Sequence, residues 1–531
     1  MATMTQPDWQ PAISVTKFHD RQFRVVKVKG KQILLIKRDD GFIAINNRCP
    51  HEGFPLAEGH LTEDCVLTCN WHNWKFDLVS GETILGGDQL RHYPVNVEAD
   101  TIYLDVSDPP AATQQNRTLV NLSEAFFDND YERIARELAR FIKADGDPMT
   151  ALAQAFGWAH DQFEFGMTHA QAVAFDWLRI RDGLPSDASA DRLVPLVEII
   201  GHLADDVINE HGIYPYSDDV ADTFDPQALI NAIEDQDEPT AVAQARKALV
   251  EHGPIVLKEP LNNAALRHYQ AFGHSVIYAE KTFALLERLP ADQAVGLILP
   301  LVRLLIARER EDLIPEFRAY APALLTWDGA GTAVPEAGTL QRLGVKETME
   351  LISKGGGNTT ALYNTIMHAI ADAMLHYDGR TRHHIDKPVS NNVDWLDFSH
   401  AVTHLNAARK ICADQPELWP KAFLQSACFI GRNTSFVDWD QDVSQWFVAD
   451  PLAYLNDFIA SLIDHGERTF IFSAHYVKLS LAIREEVMHA PNSSQAPILV
   501  AALNRMIGDP LKAKHARRAA HQAANFVELE G

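Results

Sequence analysis

Four residues constrain this chain more than anything else in it: Cys49, His51, Cys69 and His72, spaced as C-x-H-x17-C-x2-H. Two thiols and two imidazoles at that spacing sit on two short loops, and the flanking sequence says what carries those loops. Residues 25–28, 33–36 and 42–45 are brief apolar runs separated by Lys-Gly and Asp-Asp-Gly, and 93–97 and 101–106 flank the turn-like Glu98-Ala99-Asp100. Short β-branched runs between turn residues predict strands, and many of them in about a hundred residues predict a small antiparallel β domain.

Two soft thiolates and two imidazoles suit a [2Fe–2S] cluster held asymmetrically, with Cys49 and Cys69 on one iron and His51 and His72 on the other. A zinc site of two Cys and two His is the plain alternative, but the C-x-H first half fits zinc fingers poorly. Over residues 13–106 the sequence resembles the Rieske family, through these four residues and through Leu56, Gly59, Trp71, Phe76, Asp77 and Gly81-Glu82. Respiratory-complex Rieske proteins carry an extra cysteine in each loop. Here those places hold Phe54 and Trp71, so the resemblance is to the ferredoxin and oxygenase branch. The resemblance implies a potential toward the low end of roughly −150 to +300 mV. Asn73 stands where the family commonly has glycine, and asparagine tolerates the same left-handed backbone.

The totals exclude other classes. A formal net charge of −25 over 531 residues repels nucleic acid and anionic membrane surfaces. The most apolar run, 294–307, has 14 residues and contains Arg303, too short and too charged to span a bilayer. Met1 to Gln10 lacks the basic and apolar stretches of a secretory signal. Five cysteines, of which Cys65, Cys412 and Cys428 show no framework spacing, fit a reducing compartment. A cytoplasmic protein is expected.

The pattern changes after Asp108-Pro109-Pro110. Residues 111–117 read as a polar linker, and from about 118 apolar residues recur at helical spacing. Two Gly-rich breaks interrupt that region, Trp327-Asp328-Gly329-Ala330-Gly331 and Gly355-Gly356-Gly357. The expected organisation is a Rieske domain (1–110), a linker (111–117) and a large all-α domain in two duplicated halves (118–335 and 336–531). The duplication rests on spacing. His202 and His274 lie 72 apart, and His404 and His475 lie 71 apart; Pro290 and Pro491 each follow the later histidine by 16. Recurring offsets of this kind indicate an internal repeat.

That register aligns candidate metal ligands. His160 with Glu164 answers His368 with Asp372, Glu198 with His202 answers His400 with His404, and His274 answers His475. Residues four apart share a helix face, and helical bundles build metal sites from such inward pairs. The competing reading is ordinary: a histidine on an apolar helix is more often a hydrogen-bonded core residue. Asp397, His400 and His404 superficially resemble the mononuclear iron triad of Rieske oxygenases. Their four-residue spacing on a helix, 300 residues past the cluster, argues against it.

The expected function is oxidoreduction. An external reductase or ferredoxin reduces the cluster, which passes electrons to a helical-domain site holding non-haem iron, mono- or dinuclear, for oxygenation or oxidation of a small organic substrate. Two alternatives stand beside it: a redox sensor whose helical domain binds a partner or ligand without catalysis, and a metal-free site using histidines as acid and base. No nucleic-acid or membrane partner is expected, and a homo-oligomer is compatible with the sequence. Individual catalytic residues are not identified at this level.

Overall fold

The computed structural model describes residues 7–18, 21–210, 212–385, 393–509 and 516–529. They form two compact units, residues 1–151 and 152–531.

The first unit is built on eleven short strands, paired antiparallel throughout. β2 (Phe23–Val28), β3 (Lys31–Arg38), β4 (Gly41–Asn46) and β9 (His92–Tyr93) make one sheet. β1 (Trp9–Ser14), β11 (Thr101–Asp105) and β10 (Val95–Glu98) make a second. β5 (His60–Leu61), β6 (Val66–Thr68), β7 (Lys75–Asp77) and β8 (Thr83–Leu85) make a third. The unbroken apolar run of β3 is explained by burial on both faces. Side chains alternate along a strand, so Ile33 and Leu35 enter a core with Ile102 and Leu104. Leu34 and Ile36 enter another with Leu67, Phe76 and the two cysteines Cys49 and Cys69.

Residues 111–117, expected as a linker, are instead the first turns of a helix. α1 (Ala111–Phe127) starts directly after Pro110 and buries Thr118, Asn121, Leu122, Ala125 and Phe126. Its first two turns place nothing in a core, so their polarity reads as linker although the backbone is helical. α1 and α2 (Tyr131–Lys143) group with the strands, so the first compact boundary falls near 151 rather than at 110–118. On α2, Arg133, Arg136 and Arg140 all reach the fully buried Asp88 carboxylate.

The second unit is helical. After α3 (Pro148–Ala159) come α4 (His169–Gly183), α5 (Val194–Asn209), α6 (Pro226–Glu234), α7 (Glu238–Glu251), α8 (Lys258–Ala265), α9 (His274–Leu286) and α10 (Val295–Ala307). α11 (Tyr320–Leu325), α12 (Ala337–Leu340) and α13 (Val345–Ile352) lead to α14 (Thr359–Leu375), α15 (Trp395–Asp414), α16 (Trp419–Asn433), α17 (Pro451–Ser461), α18 (Phe470–His489), α19 (Gln495–Ile507) and α20 (Ala516–Leu529). Four of them form its centre: α4 packs against α9 and α18, and α15 packs against the same two.

This arrangement bears on the repeat. α9 and α18 hold equivalent places, backed by α10 and α19, as the spacing predicts. α5 and α15 do not. The helix that stands opposite α15 is α4, and α5 lies against α4 outside the central four. The intervening chain explains the mismatch: His169 precedes His274 by 105 residues, while His400 precedes His475 by only 75. Among the described residues no helix is long and apolar enough to cross a membrane.

Candidate functional site

In the first unit the two loops are built alike. Cys49 N–H donates to Phe54 O and Gly53 N–H to Cys49 O; Cys69 N–H donates to Trp74 O and Asn73 N–H to Cys69 O. Each loop closes on a left-handed residue, Gly53 at φ +79° and Asn73 at φ +60°, so asparagine does here what glycine does there. Both cysteines are buried, and burial, with Cys69 alongside, pushes the Cys49 thiol up to about 11. The His51 and His72 Nδ1 atoms lie 3.2 Å apart. The His51 ring stacks on Trp74 at 4.6 Å, and Phe54 stacks on Trp71 at 3.8 Å. Arg140 of α2 braces the first loop by donating to Pro50 O at 2.9 Å. Two buried thiols beside two convergent imidazole nitrogens match the donor set of a mixed Cys/His iron–sulfur cluster. Glu52 lies between the outer nitrogens, 4.0 Å from His51 Nε2 and 3.8 Å from His72 Nε2.

The second unit brings four histidines together, one from each central helix. His274 Nε2 lies 3.1 Å from His169 Nε2 and 2.9 Å from His400 Nε2, and His475 Nε2 lies 3.4 Å from His400 Nε2. Local structure aims them. His169 is the first residue of α4, behind a capping box of Thr168 and Gln171. His274 is the first residue of α9, behind Gly273 in the left-handed region. His400 and His475 are the sixth residues of α15 and α18. Three rings are locked from behind: His274 Nδ1–H donates to Ala271 O at 2.5 Å, His400 to Leu396 O at 2.5 Å, and His475 to Ile471 O at 2.6 Å. Tyr278 meets the rings of His169 and His274 edge-on.

A neutral imidazole has one N–H. With Nδ1–H committed to a carbonyl, Nε2 presents a lone pair, and these lone pairs point at one another. Protonation does not relieve the repulsion, because burial holds all four rings below the ordinary histidine range: His274 to about 3, His169, His400 and His475 well below. A cation at the centre does relieve it. Ligands about 2.1 Å from one ion sit about 3.0–3.4 Å apart in octahedral or tetrahedral geometry, close to the separations found. Lys478, one turn past His475, places Nζ 3.5 Å from His400 Nε2. Burial lowers its amine to about 7.

Of the ten helical residues singled out in the sequence, His274, His400 and His475 enter this group and seven do not. α3 ends at Ala159, so His160 and Glu164 share no helix face. His160 donates to Gly157 O and stacks on Tyr216, and Glu164 is exposed. Glu198 pairs with His465 at 3.1 Å and accepts from Ser473. His202 lies flat on Phe470, held at about 4 by burial. His368 bonds Ser494, and Asp372 turns to His376 and Gln341. His404 is fully buried against Gly273 and Phe429, also at about 4. Asp397 accepts from Asp394 N as part of a capping box and belongs to no triad with His400 and His404. His169 was missed because it has no partner in the assumed repeat register. Its one signal is the T-x-x-Q cap at 168–171, which marks a helix start at that histidine.

The strand architecture, the two matched loops and their donor set define a Rieske-type domain, and residues 8–94 match the family model for the Rieske [2Fe–2S] domain. The chain belongs to the Rieske family through this first domain. It is 34% identical over 98 residues to the ferredoxin component of an alkene monooxygenase system from Xanthobacter autotrophicus, covering 18% of this chain and 80% of that one. It is 33% identical over 108 residues to human apoptosis-inducing factor 3, covering 20% of this chain and 18% of that one. It is 35% identical over 104 residues to 4beta-methylsterol monooxygenase of Methylococcus capsulatus, covering 17% of this chain and 28% of that one. The chain thus spans most of the small ferredoxin and under a third of the two larger relatives. The domain implies a [2Fe–2S] cluster and an electron-transfer role.

Proposed function

We propose that this chain is an oxidoreductase with two metal centres: a [2Fe–2S] cluster on Cys49, Cys69, His51 and His72, and a non-haem metal, with iron as its expected identity, on His169, His274, His400 and His475. A reductase or ferredoxin supplies electrons at the first centre, and the second consumes them in oxygenation or oxidation of a small organic substrate. A bound Rieske cluster supplies electrons one at a time. The observation that carries this reading is a cluster in which His169, His400 and His475 each offer a ligand nitrogen within 4.8 Å of the others and His274 Nε2 lies 2.9 Å from His400 Nε2, with Nδ1–H groups spent on carbonyls behind three of the rings. Donation to a backbone carbonyl fixes the tautomer and raises ligand basicity, so the chain pays for a prepared site.

The chain's own residues hold the second centre in a mostly buried, low-water environment, with Tyr278 and the backbone carbonyls orienting the rings. The names of two relatives, an alkene monooxygenase ferredoxin and a methylsterol monooxygenase, agree with an oxygenase setting for the first domain. The test is reoxidation of the cluster. Dithionite-reduced protein is mixed with O2 in a stopped-flow instrument, for wild type and for His400→Ala and His475→Ala. Reoxidation at least tenfold slower in both variants is expected. Equal rates in all three would make the helical histidines irrelevant to the electron and favour a redox sensor.

A further inference from the structure

The two Gly-rich breaks in the helical region meet in space. Gly357 N–H donates to Gly331 O at 2.7 Å, Asp328 N–H to Ser353 O at 3.0 Å, and Ala333 N–H to Lys354 O at 3.3 Å. The loops approach so closely that side chains are excluded: a Cβ on Gly356 would lie 2.5 Å from Asp328 O and 2.6 Å from the Trp327 indole nitrogen. This zipper presents the Trp327 ring, which lies near-parallel to Phe423 at 6.2 Å, and Phe423 in turn stacks on Trp419 at 4.7 Å. Tyr363 meets Trp419 edge-on at 5.8 Å.

Trp327, Trp419 and Tyr363 line a cavity of about 870 Å³, and Arg409, Asn364, Glu417 and His489 are among the polar groups in its wall. Volumes of this size hold small organic ligands, and such sites combine apolar walls with a few fixed polar groups. The polar end is prearranged. Arg409 and the Tyr363 hydroxyl both donate to the Glu486 carboxylate, at 2.9 and 2.8 Å. Near-parallel and edge-on rings favour a flat π-system over a saturated one of the same bulk. We infer that this cavity binds a planar aromatic molecule of two- or three-ring size carrying a hydrogen-bonding substituent.

The cavity is separate from the four-histidine group. Arg409 follows His400 by nine residues on α15, about 14 Å along a helix axis, and the lining contains none of the four histidines. The inference therefore stands independently of the metal reading.

Isothermal titration calorimetry with 2-naphthol, and with its saturated counterpart decahydro-2-naphthol, tests it on the full chain. One 2-naphthol site per chain is expected, at least tenfold tighter than for the saturated analogue. Trp327→Ala should weaken it at least tenfold. Thr360→Phe, a substitution at an exposed lining position, should block it by filling the space without disturbing the core. His400→Ala should leave the affinity within twofold. Failure of 2-naphthol to saturate, equal affinity for the saturated analogue, or unchanged affinity in Thr360→Phe would overturn the inference. Loss of binding in His400→Ala would move the ligand to the metal site and overturn it as well.

Discussion

Asn73 carries a left-handed backbone next to His72, and its behaviour on substitution is a direct reading of loop geometry. Asn73→Gly should keep both the cluster and the melting temperature. Asn73→Val should cost about 1–2 kcal/mol for a β-branched residue in that region and lower cluster occupancy, measured by visible absorbance per chain. Glu52 makes a second prediction at this scale. Its carboxylate faces the outer nitrogens of His51 and His72, the proposed cluster ligands, where negative charge would favour the oxidised, more positive cluster. Glu52→Gln should raise the midpoint potential in a redox titration, with an effect that shrinks as salt screens the half-exposed side chain. An unchanged potential at low salt would remove Glu52 from that role. Cys49, His51, Cys69 and His72 were legible in sequence because their spacing is local to two loops. His169 was not legible, because its partners come from three distant helices.

Among the elements, the start of α9 carries the most consequence. Gly273 sits at φ +78°, and a Cβ there would lie 3.0 Å from both His404 Nδ1 and Phe429 Cζ. His404, expected as a ligand, thus lies behind the site, filling the space over the glycine that aims His274. Gly273→Ala should cost about 1–2 kcal/mol in left-handed strain. It should also lower the metal retained by the helical unit, read by elemental analysis after dialysis. Retention equal to wild type would mean the α9 start tolerates the shift. Buried neutral histidines also set a pH dependence. His202 and His404 are each held at about 4 in the folded chain against about 6.5 unfolded. Their contribution is whole above pH 6.5, and it is lost as pH falls toward 4, because the unfolded chain takes up protons first. Each is worth up to about 3 kcal/mol. Asp206, 3.7 Å from His202, and Asp397 are raised by burial to about 7 and act with the opposite sign over the same window. The readout is therefore a difference: between pH 6.5 and 4 the denaturant midpoint should drop less in His202→Phe than in wild type. The correspondence of α9 with α18 could be read from sequence because their spacing to later prolines and helices repeats. The place of α4 could not, because the segments joining each histidine pair differ in length.

For the whole molecule, the change from strand to helical pattern was visible in the sequence, while the edge between units was not. α1 opens with polar turns that bury nothing, and only the grouping of α1 and α2 with the strands moves the boundary to 151. The central claim is that one chain holds two kinds of metal centre, and it is a question of stoichiometry. Purified protein should contain two irons in the Rieske cluster and one further metal per chain, expected to be iron. In His400→Ala and His475→Ala that additional metal should fall below a tenth of the wild-type amount, while the reduced cluster keeps its low-average-g EPR signal and its two irons. Metal analysis paired with that spectrum decides it: two irons and no other metal in fully loaded wild-type protein would contradict the account.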